Sequence, residues 1–522
     1  MRPVSFLVLL LAAATSAAAD HDELDATLRA PYRGVPGSDA RTFTIVLEHP
    51  FTQPLMQPLT VDWRFELAAA DGRVVKTWRG AQLLSGPPVT IEVAWDGRLA
   101  DPRAAAPAGH YRATLVADTV VQSWQIAVGA VAAPAMPPPL GMAPSPWQIV
   151  LGNLHSQTGH SDGGGPLTSC QGAQAPQSSP LGPAQAFAYA DRHGLDVLVA
   201  SEHNHLYDGG TGTNAGATPA SVRDLYQAGL AAAADYNRAH PGFLGIYATE
   251  WGVIDKGGHL NIFNADGLPG WERNGAGELL ADVATPKGDY GALYATMRQR
   301  GWIGQFNHPA SSGQFVIDGK PLAYTEDGDA VMVLCEVVNT HAFSVSEDET
   351  ESRRSNYENA CNGLLEAGYH VALSSNQDNH CANWGMSYTN RTGVLLRVGD
   401  TLTQATFLDA LRARRVFATM DKGAALLFTA NGHIMGERIT NSGPLQLLAS
   451  YTSSAGQRPA SVAIIEGVPG RNGSVTTLAT QAGLTIVPSI GAHFYYARVT
   501  QADGNLLWSA PIWVQQTALA AD

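Results

Sequence analysis

Imidazole and carboxylate side chains, which bind metal ions, recur in this chain at places where strands should end. His155 follows the apolar run closing on Gly152-Asn-Leu154, and His203 follows Val197-Leu-Val-Ala-Ser201. Glu250 closes Gly245-Ile-Tyr-Ala-Thr249, and His308 closes Ile303-Gly-Gln-Phe-Asn307. Glu336 follows Val331-Met-Val-Leu-Cys335, and Asp378 with His380 follow Val371-Ala-Leu-Ser-Ser375. Imidazoles and carboxylates crowded together repel or stay unsatisfied unless cations neutralise them. A mixed nitrogen and oxygen donor set suits Zn, Mn or Fe, and one this large implies two or three divalent ions. The chemistry such ions support is metal-assisted hydrolysis, with an ester oxygen polarised and water made acidic.

Those side chains must be delivered by the segments around them. Period-two alternation broken by Gly, Pro and Asp over 20–129 reads as a β-sandwich. Six prolines in 130–146 mark a semi-extended linker. From 147 to 422 strands alternate with helices: strands over 147–155, 195–201, 243–250, 302–307, 331–339, 369–375 and 416–419, and helices over 183–193, 219–239, 290–300, 352–367 and 404–414. This alternation predicts an α/β domain with a mostly parallel sheet, whose carboxyl-terminal strand ends converge on one face. Residues 423–522 alternate again, as a second β-sandwich.

Seven short motifs, spread over the central segment, resemble those of the polymerase and histidinol phosphatase (PHP) superfamily. His155-Ser-Gln-Thr-Gly-His-Ser-Asp-Gly163 resembles its opening motif, and Gly194-Leu-Asp-Val-Leu-Val-Ala-Ser-Glu-His-Asn204 its second. Thr249-Glu250, Gly258-His259-Leu-Asn261, Asn307-His308-Pro309, Glu336-Val-Val-Asn339 and Ser375-Asn-Gln-Asp-Asn-His380 follow in the family's order, the last trailed by Trp384-Gly385. The segments Arg412-Ala-Arg-Arg-Val-Phe-Ala-Thr419 and Pro511-Ile-Trp513 are similar to the tail of exported members related to carbaryl hydrolases. The resemblance implies a distorted (β/α)7 TIM-like barrel flanked by N- and C-terminal Ig-like β-sandwiches. It further implies metal ligation by His155, Asp162, His203, Glu250, His259, His308, Asp378 and His380, with Glu250 bridging two ions. The catalytic set it implies is His155, Asp162, His203, Glu250, His308, Asp378 and His380.

Two positions depart from the family pattern. Gln157 stands where the opening motif has its second His, offering a neutral oxygen in place of an imidazole. Glu202 stands where the family has Asp. His160 in the same loop is either a substitute ligand or a loop residue, and Glu336 is either a ligand or a carboxylate that orients a ligating His. Arg353 and Arg354 are candidates for a substrate anion or for a solvated face.

Composition limits what else the chain can be. Its 522 residues are 45% hydrophobic and 15% charged, enough to bury large cores and to exclude disorder. The net charge of -14 has the wrong sign for a bulk nucleic-acid or anionic-membrane partner. Residues 1–19 read as a signal peptide, and no later run has the length of a membrane span. The expected product is exported, periplasmic or extracellular. Of four cysteines, Cys361 and Cys381 are the candidate bridge. The expected activity is that of a metal-dependent phosphoesterase on a small-molecule substrate. A carboxylic or carbamate ester hydrolase, or an inactive binding module, are the alternatives.

Overall fold

The computed structural model describes residues 24–49, 58–131, 134, 145–253, 257–309, 314–471 and 475–519. The expected signal peptide and most of the Pro-rich linker lie outside these residues.

Near the N-terminus, strands Asp25–Arg29, Arg41–Glu48 and Val89–Trp95 form one antiparallel sheet. Strands Val74–Leu84, Leu59–Ala69, Gly109–Ala117 and Val120–Val128 form another. Alternate residues such as Phe43, Ile45, Leu47, Phe65, Leu67 and Leu115 fill the core between them, as a period of two requires.

The central segment does not form the expected (β/α)7 barrel. Among the described residues six α-helices accompany 29 strands, too few to follow each strand of such a barrel. The strands join one mixed sheet of 16, running from Arg354–Asn356 through Met332–Thr340, Gly304–Phe306, Gly258–Ile262, Leu244–Val253, Val197–His203 and Trp147–Asn153 to Arg391–Arg397 and Val416–Thr419. Only some pairs are parallel. Gly258–Ile262 is antiparallel to both its neighbours, and Arg391–Arg397 is antiparallel to both of its own. The cause is local: Gly258–Ile262 begins too soon after Leu244–Val253 for a crossover helix, so the chain returns antiparallel. Ala372–Ser375 pairs only with Met332–Thr340 among the described strands, so no ladder closes the sheet.

The C-terminal portion packs two sheets on each other, and one of them is continuous with the central sheet. Val416–Thr419 pairs with Leu506–Ser509, and the same sheet continues through Gly491–Gln501 to Pro459–Gly467, across the expected boundary at 422–423. A further four-stranded sheet, including Ala424–Ala430 and Leu445–Ser453, packs on it.

The helices form where their signals lie. Pro219–Ala239 starts at Thr218, whose side chain accepts from the Ser221 N–H, with Pro219 in the first turn. It buries Val222, Tyr226, Gly229 and Ala233 on one face. A Cβ at Gly229 would lie 2.0 Å from the Tyr247 ring, so this helix approaches the sheet closely only because that position lacks one. The helix expected over 352–367 begins later, as Glu358–Ala367, because Arg354–Asn356 adds to the sheet edge. The expected Cys361–Cys381 bridge is also corrected. Cys170 pairs with Cys381, and Cys335 pairs with Cys361. Sequence spacing had no means of showing that Cys170 lies beside the strand end carrying Cys381. Among the described residues no helix is long and apolar enough to cross a membrane.

Candidate metal centre

Register brings the ligand candidates together. Glu250 is paired with His203 on the adjacent parallel strand and with Asn261 on the antiparallel one. Along Leu244–Val253, Leu244, Ile246 and Ala248 share a face with Glu250, as Val197 and Val199 do with His203. One apolar face therefore ends in a polar cup.

Glu250 is the hub of that cup. Its Oε2 lies 2.9 Å from His155 Nε2 and 3.1 Å from His203 Nε2, while its Oε1 lies 3.1 Å from His259 Nδ1 and 3.5 Å from His308 Nε2. Asp378 Oδ1 is 3.1 Å from His155 Nε2. On the far side Asp162 Oδ1 is 2.9 Å from His203 Nδ1 and 3.7 Å from His380 Nε2. Three groups result, His155/His308/Asp378, Asp162/His203/His380 and His203/Glu250/His259, each with ligand atoms within 4.8 Å of one another. All nine residues singled out from the sequence, Gln157 included, meet here.

The electrostatics fit cations. Burial alone would lower the His203 imidazole, but Asp162 and Glu250 push it up to about 10. Burial likewise opposes a charge on His155, and the carboxylates of Asp378, Glu250 and Glu336 hold it well above its ordinary value. Asp162, which burial would raise, is held at about 2 by His203 and His380. Glu250 is held well below the usual carboxylate range by His155, His259 and His203, against its burial. The carboxylates that raise these imidazoles are the charges that divalent ions would balance. His308 and Asp378 also take left-handed backbone conformations, with φ of 26° and 51°. Strain of this kind, costing about 1–3 kcal/mol each, gathers where a surrounding structure must hold a side chain in place.

A second layer fixes the ligands. Glu336 accepts from His155 Nδ1 at 3.2 Å, from the His308 backbone N–H at 2.7 Å and from Asn376 Nδ2 at 2.9 Å. Its place is behind His155, orienting it. Asn307 donates to Glu250 Oε1 at 2.8 Å and to Asn261 at 2.9 Å. Gln305, Ser374 and Asn376 continue this buried network beneath the cup.

Glu202 has a larger part than its neighbour position indicated. It faces away from the centre and accepts from Thr158 N at 3.0 Å, Thr158 Oγ1 at 2.5 Å and Ser161 Oγ at 2.6 Å, which ties down the loop bearing Asp162. The alternation of faces along Val197–His203 was the available signal, since it sets Glu202 opposite His203. His160 bonds the Tyr247 hydroxyl at 2.8 Å and is in none of the three groups. It does not substitute for the missing imidazole. His205 is buried beside His203, stacked with Trp271. Arg353 pairs with Glu48 at 3.0 Å, and Arg354 is buried against Tyr388, so both serve packing between segments.

No family model matches the chain, and no curated protein is similar to it. Solved structures match only slightly. A putative β-galactosidase from Bacteroides fragilis is 9% identical, over 95% of this chain and 73% of that one, with a TM-score of 0.15. A trypsin-activated alpha-2-macroglobulin from Escherichia coli is 9% identical, over 96% and 24%, at 0.16. A β-glucuronidase from Parabacteroides merdae is 9% identical, over 96% and 64%, at 0.16. Likenesses this slight assign neither fold nor activity to the chain.

Proposed function

We propose that the chain is an exported metal-dependent hydrolase that cleaves phosphate esters. The observation that carries this reading is the buried cup of three overlapping groups of imidazole and carboxylate donors around Glu250. His155, Gln157, Glu250 and Asp378 would hold one divalent ion, Glu250, His259 and His308 a second, and Asp162, His203 and His380 a third. Zn, Mn and Fe match these donors. What such ions supply when bound is Lewis acidity toward an ester oxygen and acidification of water. The chain's own residues bind, orient and exclude water. Glu336 sets the His155 ring and the His308 backbone, and burial of nearly all the donors keeps bulk solvent from competing. His308, with 11% of its side chain exposed, marks the side from which a substrate enters.

The resemblance of the seven motifs to PHP phosphoesterases supports the phosphate ester over other esters. Two disulfides, a state typical of oxidising compartments, support export to a periplasm or medium. The test is turnover of a nitrophenyl phosphodiester and of nitrophenyl acetate by the metal-loaded protein. The phosphodiester is expected to be cleaved, with activity lost to chelator and regained with Mn2+ or Zn2+. Cleavage of the acetate alone would move the assignment to a carboxylic ester hydrolase. Cleavage of neither would leave a metal-binding module.

A further inference from the structure

The one ligand position that departs from the motif is also the one whose hydrogen bonds in this arrangement are incompletely consistent. Gln157 Nε2 lies 2.6 Å from Glu250 Oε2, and Gln157 Oε1 lies 3.1 Å from Ser161 Oγ. Ser161 has a single hydroxyl proton, and its Oγ is only 2.6 Å from the Glu202 carboxylate. That proton goes to Glu202, the shorter and charge-assisted bond. Ser161 then has only lone pairs to offer Gln157, which is a partner for an N–H and not for an amide oxygen.

Exchanging the two ends of the amide resolves this without moving a heavy atom, since oxygen and nitrogen occupy nearly the same places. Nε2 then donates to Ser161 Oγ, and Oε1 faces Glu250 Oε2. Two oxygens at that separation repel unless a cation lies against both. The side chain cannot swing aside to avoid the choice. Gln157 is fully buried, and its backbone is pinned, with the main-chain N–H donating to the Asn379 carbonyl at 2.9 Å and the main-chain carbonyl accepting from Trp384 Nε1 at 2.8 Å. Even a Cβ on Gly163 would lie 2.3 Å from its carbonyl carbon.

The two oxygens of Glu250 divide the donors. Around Oε1 stand two imidazoles, His259 and His308. Around Asp162 stand two more, His203 and His380. Beside Oε2, however, His155 and the other nitrogen of His203 are joined by Asp378 and by Gln157. With the amide turned, that position has three oxygens and two nitrogens, the second nitrogen belonging to a His203 whose other nitrogen faces Asp162. Each of the other two positions sets one carboxylate beside two imidazoles, so this one is the richest in oxygen. Oxygen-rich sites favour harder ions, and imidazole-rich ones favour Zn2+.

We infer that Gln157 is an oxygen ligand and makes the position bounded by His155, Glu250 and Asp378 the hard one of a mixed-metal centre, taking Mn2+ where the other two take Zn2+. The inference rests on the metal centre proposed above. To test it, the full chain is stripped with chelator and re-equilibrated with Zn2+ in modest excess over three equivalents per chain and Mn2+ in about tenfold excess over Zn2+, so that position and not abundance of Zn2+ limits loading. Metal is then counted by elemental mass spectrometry, and Mn2+ is read by electron paramagnetic resonance. Two Zn2+ and one Mn2+ per chain are expected. Gln157→His should exchange the Mn2+ for a third Zn2+, and Gln157→Glu, which keeps an oxygen there, should retain Mn2+. Three Zn2+ in the unaltered chain, or Mn2+ retained by Gln157→His, would overturn the inference and leave the metal centre standing. A chain that holds no ion of either kind would overturn the centre itself, and the unaltered chain decides even if a variant fails to fold.

Discussion

Replacing Glu336 with Gln separates an orienting role from a ligating one. The substitution keeps size and shape, and its cost follows from three donors that converge on the carboxylate. His155 Nδ1 and Asn376 Nδ2 reach Oε1, and the His308 backbone N–H reaches Oε2. A glutamine offers one oxygen. If that oxygen takes the Oε1 place, the new NH2 faces the His308 N–H; if it takes the Oε2 place, the NH2 faces both His155 and Asn376. Either way a buried donor loses its acceptor, which costs about 1–3 kcal/mol. Because His155 is also no longer held in orientation, metal affinity at its position should fall by about 10- to 100-fold, ~1.4–2.7 kcal/mol. Competition against a chelator of known affinity measures the loss, and elemental analysis at saturating metal counts the ions. The expected result is weaker binding with the same number of ions per chain as the unaltered protein. Unchanged affinity would refute the orienting role. Loss of one whole ion at saturation would make Glu336 a ligand and redraw the site.

Other perturbations address other parts of the argument. Asp378→Asn, chosen because Asn tolerates the left-handed backbone found there, should abolish ester cleavage while leaving the circular dichroism spectrum unchanged; undiminished turnover would remove Asp378 from the centre. Reduction of Cys170–Cys381, which closes a span of 211 residues, should cost up to ~5 kcal/mol of stability in the chain-entropy picture. Since Cys381 follows His380 and Cys170 lies on the loop leaving Asp162, the same treatment should release metal from the Asp162/His203/His380 group, and full metal retention by the reduced protein would count against that link. Glu48 is raised to about 7 by burial and by the charge of Asp25, with Arg353 offsetting only part. A carboxyl whose folded pKa exceeds its unfolded value gives stability that is full below about 4.5 and is lost as pH rises through about 7. Melting temperatures between pH 4.5 and 7 should therefore fall less with rising pH in Glu48→Gln than in the unaltered chain; identical slopes would refute the assignment.

The centre was legible where a single strand decides the outcome, and the fold was not, because direction is a relation between strands. His203 and Glu250 end apolar runs, and a period of two fixes which face each one takes, whereas His308 lies past the end of Gly304–Phe306 in left-handed backbone that no spacing announces. Nothing in Arg391–Arg397 shows that it runs against its neighbours, and the short connection before Gly258–Ile262 bears only on its pairing with Leu244–Val253, not on its pairing with Gly304–Phe306. Reading each apolar run as one parallel strand followed by a helix therefore produced a mostly parallel sheet, and the motif resemblance implied a closed barrel, neither of which the chain makes. The cysteine pairing failed for the same reason, since Cys170–Cys381 joins a loop to a strand end far away in sequence. Glu336 and Glu202 show the finer limit. Each lies close to ligand candidates along the chain; strand alternation alone sets Glu202 on the face opposite His203, whereas only coordinates reveal that Glu336 stands behind His155. Gln157 runs the other way: the sequence marked it as a departure, and the network around Ser161 and Glu202 gives that departure a chemical consequence, an oxygen donor in place of an imidazole at a position that already has two carboxylates.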